Sequence, residues 1–185
     1  PTSADEDVFL WVSTDRKRAY VGEQVTFRLD VYEGVRFLDA SLRTAPSFEG
    51  FLSEELPVPD MYTAMVGQRR FRVRPGMRRA LFPQQAGVAS IGAAELLISG
   101  RKRRFSEVIE IDVLPLPPKG RPPEFSPNNV GVYTITAEVD RDQVNVGEPF
   151  TLTYEIEGTG NVDLVDPGEW ATLADVRQYD PKVTT

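Results

Sequence analysis

Val12-Ser-Thr-Asp15-Arg16-Lys-Arg-Ala-Tyr-Val21-Gly22-Glu23-Gln-Val-Thr26-Phe27 recurs without a gap, 125 positions later, as Ala137-Glu-Val-Asp140-Arg141-Asp-Gln-Val-Asn-Val146-Gly147-Glu148-Pro-Phe-Thr151-Leu152. Asp, Arg, Val, Gly, Glu and Thr are identical in the two copies. Each copy reads as the end of a strand, a short loop, a Val-Gly-Glu turn in which Gly takes a backbone angle that other residues resist, and the start of a second strand. A repeat at this distance points to two homologous domains.

The flanks of the repeat alternate with period two. Val25, Phe27, Leu29 and Val31 alternate with Thr26, Arg28 and Asp30, as in a strand with one buried face. Phe150, Leu152, Tyr154 and Ile156 alternate with Thr151, Thr153, Glu155 and Glu157 in the same way. Further strands are expected at 8–13, 69–73, 79–82, 94–99, 105–114 and 133–139, and the 101–104 run reads as a hairpin tip. With 15 Pro and 14 Gly punctuating these runs, the chain reads as all-β, namely tandem Ig-like β-sandwich domains. Between the copies lie Pro115, Pro117, Pro118, Pro122, Pro123 and Pro127, a density that favours extended polyproline II. The expected organisation is a first domain over 8–115, a linker over 116–127 and a second domain over 128–185. The second is too short for a whole sandwich, so it reads as truncated, with its remaining strands beyond Thr185. The start at Pro1, without Met, reads as processed or engineered.

Composition narrows the chemistry. The 185 residues are 41% hydrophobic and 26% charged, as in a folded chain, and no apolar stretch is long enough to span a bilayer as a helix. His and Cys are both absent. A Ser-His-Asp triad, a Cys nucleophile, a zinc site of the usual ligands and a disulfide are therefore outside this chain's means. No catalytic residue, cofactor or metal is assigned, and the reading is non-enzymatic. The loop acids Asp5, Glu6, Asp7, Asp140, Asp142, Asp163 and Asp166, with Asn161, raise calcium as a possibility, with solvated carboxylates as the plainer account.

Charge is unevenly distributed. Residues 65–105 carry +9, which leaves −16 for the rest of a chain whose net charge is −7. Arg70, Arg72 and Arg74 share one strand face, and Arg101, Lys102, Arg103 and Arg104 form a second group. Together they are candidates for contact with an acidic protein surface or anionic headgroups, or else they pair with acids on neighbouring strands. Nucleic acid is not expected, because the chain is acidic overall and lacks a reading motif. Trp11 is a further candidate. With Val8, Leu10 and Val12 facing the core, Phe9 and Trp11 point outward, to be covered by a partner or by the 46–60 loop with its Phe48, Phe51, Leu52 and Leu56.

Four motifs carry a resemblance. The two Asp-Arg to Gly-Glu elements, the run from Arg69 through Ala80-Leu-Phe-Pro-Gln-Gln-Ala-Gly87 to Ile91-Gly92, Gly158-Thr-Gly-Asn161 and Tyr179-Asp-Pro181 resemble the N-terminal Ig-like repeats of BatD, the bacterial aerotolerance (oxygen tolerance) family. The resemblance implies an extracytoplasmic, periplasmic protein of the bacterial cell envelope, membrane-anchored through a segment outside this sequence. It also implies von Willebrand A-domain Bat partners and a MoxR-type ATPase system. The family has no catalytic residues to carry over. The implied role is a non-catalytic protein-protein interaction scaffold. An adhesin-like or carbohydrate-binding sandwich array and an accessory module of a larger envelope enzyme are the alternatives. The incomplete second domain is also expected to self-associate.

Overall fold

The computed structural model describes residues 7–35, 40–168 and 174–184. They divide into two units between Leu116 and Pro117. Both are built from strands; among the described residues the only helical element is a 3-10 turn at Val162–Leu164.

The described residues of the first unit form eleven strands in three sheets. The largest sheet joins β1 (Val8–Thr14), β3 (Val25–Glu33) and β7 (Arg69–Pro83), with β5 (Phe51–Glu55) and β6 (Tyr62–Val66) paired to the far edge of β7. A second sheet joins β10 (Lys102–Phe105), β9 (Glu95–Ile98) and β4 (Ala40–Thr44). The third joins β2 (Arg18–Tyr20), β11 (Ile109–Leu114) and β8 (Gly87–Ile91), with β2 and β11 parallel. The alternation in β3 is realised: Val25, Phe27, Leu29 and Val31 are buried with Val8, Leu10 and Leu81 of their own sheet. The other two sheets meet them with Ala19, Ile91, Leu96, Ile98, Ile109, Ile111 and Val113. Burying each Val, Leu, Ile or Phe among them contributes about 1.5–3 kcal/mol, so this layer contact holds the unit together.

Several boundaries differ from the sequence reading. The runs at 69–73 and 79–82 belong to one strand of fifteen residues. Pro75 and Gly76 mimic a break, but they sit at a register shift opposite Leu29 and Asp30, where a missing N–H and an extra residue are tolerated. The 46–60 loop contains β5. The 105–114 run is divided, Phe105 ending β10 and Ile109 opening β11. Strands β2, β4, β5, β6, β8 and β10 span only three to five residues, too few for alternation to stand out.

The outer face of the large sheet is also apolar. Phe9 stacks on Tyr32 with ring centroids 4.8 Å apart, and Phe71 meets Phe9 edge-on at 5.3 Å. Phe9 and Phe71 are buried here. The cover for Phe9 is therefore its own sheet and not the 46–60 loop: Phe48 packs edge-on against Phe27 at 5.2 Å, and it and Phe51 join the main core. On the same outer face Asp30 Oδ1 lies 2.7 Å from Arg78 Nη2, with side chains only 7% and 11% exposed.

In the second unit β12 (Val132–Val139) and β13 (Leu152–Thr159) form an antiparallel hairpin, the only strands among its described residues. Tyr133 lies over glycines: a Cβ at Gly158 would meet its ring at 2.8 Å, and one at Gly160 would collide with its hydroxyl. Gly158-Thr-Gly-Asn161 is thus shaped around one aromatic ring.

Two outcomes are expected. Limited trypsin digestion cuts first at Lys119–Gly120, since Arg121 precedes Pro122; early nicking within 8–115 instead would show a different boundary. Asp30→Ala leaves the Arg78 guanidinium buried without its partner and costs about 3–5 kcal/mol by denaturant unfolding, whereas the apolar pair Asp30→Leu with Arg78→Met costs far less.

Candidate functional site

The repeated segment forms the same turn twice. Asp15 Oδ1 accepts the Thr26 N–H at 2.7 Å, and Asp140 Oδ1 accepts the Thr151 N–H at 2.8 Å. Glu23 Oε2 accepts the Tyr20 N–H at 2.8 Å, and Glu148 Oε2 accepts the Asn145 N–H at 3.1 Å. Gly22 and Gly147 have φ of +78° and +91°, the left-handed region that favours glycine. The identical residues are thus the ones that tie the turn to the backbone. Their carboxylates serve as local acceptors, a structural task that needs no ligand.

The loop acids are placed in the same spirit. Asp166 Oδ1 accepts the Gly168 N–H at 3.0 Å, and Asn129 and Asp166 exchange two hydrogen bonds of 2.7 and 2.8 Å. Asn161 is buried at the start of the 3-10 turn. Among the described residues no three carboxylates converge on a point that suits a cation. Asp5 and Glu6 lie outside the described residues.

The basic residues divide into structural and exposed ones. Arg74 pairs with Glu33 at 3.3 Å and donates to the Ala40 carbonyl at 2.9 Å, joining the large sheet to β4. Arg72 is exposed and donates to Met61 Sδ at 3.4 Å. Arg70 is exposed. In the second group, the hairpin tip is Ser99 to Arg101, where Ser99 and Gly100 have positive φ; Lys102, Arg103 and Arg104 stand on strand β10. Arg103 pairs with Glu95 at 3.3 Å, and Arg104 donates to the Arg103 carbonyl at 3.1 Å. Among the described residues Arg70, Arg101 and Lys102 make no ion pair. The two groups stand on different sheets, the first on β7 and the second on or beside β10. Arg74 reaches β4, and β10 is the opposite edge of that same sheet, two strand spacings or roughly 10 Å away.

Trp11 is 39% exposed and lies 6.2 Å from Tyr32, ring to ring. Tyr62, also exposed, stands in the same cross-strand row as Phe9, Tyr32 and Val73. Burial, aided by the neighbouring Tyr62 phenol, pushes the Tyr32 phenol up to about 12. The outer face therefore presents Trp11, Tyr62 and Arg28 around a buried aromatic base. Tyr62 and Arg28 were missing from the sequence-based candidates. The alternation in 62–66 was available as a signal, but a five-residue strand between turn residues reads as loop.

No protein-family model matches this chain, and no curated protein matches it significantly.

The Tyr32 environment has a pH signature. In the unfolded chain tyrosine ionises near pH 10, while the folded chain holds this proton to about 12. Between those values the unfolded state binds fewer protons, so folding weakens as pH rises. Tyr32→Phe removes this contribution. Urea midpoints of the first unit, followed by circular dichroism at about pH 9 and about pH 11.5, fall less in the variant than in the parent; equal slopes overturn the assignment.

Proposed function

We propose that this chain is a non-catalytic interaction scaffold, built of tandem Ig-like β-sandwich domains and belonging to the extracytoplasmic part of a BatD-like membrane protein in the bacterial cell envelope. The observation that carries the reading is the shared turn. The same residues make the same side-chain to backbone hydrogen bonds at a constant offset of 125, in Asp15 and Asp140, and in Glu23 and Glu148. The strands that flank it also keep one register: Leu10 faces Val31 and Ile135 faces Ile156. Duplication of one β-unit suits an array that spaces and displays surfaces. The absence of His and Cys in the sequence supports a binding role over catalysis. By the resemblance, the partners are von Willebrand A-domain Bat proteins acting with a MoxR-type ATPase system, and the expected docking groups are the exposed Arg70 and Arg72.

A second reading, a carbohydrate-binding sandwich, is favoured by the aromatic outer face at Trp11, Tyr32 and Tyr62. Sugar rings stack on such surfaces while polar neighbours orient them.

One binding assay tests both. Arg70→Glu with Arg72→Glu weakens capture of a purified von Willebrand A-domain partner at least tenfold, about 1.4 kcal/mol. Because exposed charges are screened over about 8 Å at physiological salt, binding of the parent also falls as salt rises. Arg74 is left intact because it fastens β4. Capture that ignores both the substitutions and salt rejects the arginine face. Binding of soluble polysaccharide that is lost only with Trp11→Ala selects the second reading.

A further inference from the structure

We propose that the outer face of the large sheet holds a subsite for an acidic sugar, in which Trp11 stacks on a pyranose ring and Arg28 takes that ring's carboxylate. The proposal rests on the carbohydrate reading of this face and adds to it the charge of the ligand. Strand register places the residues. Three cross-strand rows follow one another along the face: Phe9, Tyr32, Val73 and Tyr62; then Trp11, Asp30 and Pro75; then Ser13, Arg28 and Arg78. Trp11 and Arg28 are therefore diagonal neighbours on paired strands, with Cβ atoms roughly 7 Å apart. Both are exposed, and half-buried Ser13 stands directly opposite Arg28.

Charge singles out Arg28. It lies directly opposite Arg78 on the other neighbouring strand, and like charges in that position repel. The carboxylate that these rows contain, Asp30, is 2.7 Å from Arg78 Nη2 and buried with it. Among the described residues no acid pairs with Arg28. A ligand anion relieves the repulsion, and a guanidinium meets a carboxylate through two parallel N–H···O bonds. A single guanidinium also balances the one charge of a carboxylate better than the two of a phosphate monoester.

The aromatic part is set in place before a ligand arrives. Trp11 lies 6.2 Å from the Tyr32 ring, Tyr32 stacks on Phe9 at 4.8 Å, and Phe71 meets Phe9 edge-on. Rings already packed in this way have little freedom left to lose on binding. Exposed Tyr62 ends its row three strand spacings from Phe9, roughly 14 Å across the sheet. Trp11, Tyr32 and Tyr62 thus line a track across the strands that suits several linked sugars, with the acidic one at the Trp11 end.

The test is an amide NMR titration of the whole chain with oligomers of galacturonic and of mannuronic acid, each as the free acid and as its methyl ester. The expected result is saturable shifts at 11–13 and 28–32, with an acid that binds about tenfold more tightly than its ester, or better. Arg28→Gln brings the acid to the affinity of the ester and leaves the ester unchanged. The fold survives this substitution, because the position is exposed and the repulsion with Arg78 goes with the charge. Trp11→Ala weakens both forms, and Arg70→Glu with Arg72→Glu alters neither. Equal binding of acid and ester at these residues overturns the acidic subsite and leaves the carbohydrate reading standing. Binding of neither form removes the two together. An acid preference that survives Arg28→Gln but is lost with Arg70 and Arg72 also overturns the proposal, by moving the anion to β7.

Discussion

One extra residue in β7 sets the layering of the first unit. Before the register shift, Phe71, Val73 and Pro75 share the outer face with Tyr32 and Asp30; after it, Met77 and Leu81 share the inner face with Leu29 and Val25. An uninterrupted strand would keep all of these odd-numbered residues on one side. Gly76 absorbs the change, and a Cβ there would already press on Leu29 Cδ2 at 3.0 Å. The reversal lets one strand serve two apolar layers, the main core and the aromatic cluster of Phe9, Tyr32 and Phe71. It also places Arg78 on the outer face beside Asp30, where the pair is sheltered from water.

The long strands were legible because their alternation runs over several periods, as in β3 and β13. The repeat was legible because the residues that hold a turn are fixed by its hydrogen bonds, while the flanking side chains are free to change. What escaped was local. Three-residue β2 has no periodicity to read; its place comes from pairing with β11, a partner more than ninety residues away. Pro75 and Gly76 carry a breaker signal that is right for an ideal strand and misleading at a bulge.

The candidate surfaces were legible by residue type more than by arrangement. Charge counting found the arginines, but it could not tell Arg74, which reaches Glu33 and the Ala40 carbonyl, from exposed Arg70 four strand positions away. Nor could it show that β4 and β10 lie at opposite edges of one sheet. Trp11 was identifiable as outward-facing from its parity. Its neighbour Tyr32 was not, since it comes to Trp11 through cross-strand register, which no single segment contains.

The parallel pairing of β2 with β11 has a mechanical consequence. The two strands lie near the two ends of the first unit and point the same way. Tension drawn between the chain ends, once it passes β1, therefore pulls them in opposite directions along their lengths. The links from Asp112 N–H to the Lys17 carbonyl and from Val21 N–H to the Leu114 carbonyl then strain together in shear, and do not peel apart one at a time. Within the first unit, this seam is the part that resists such a pull.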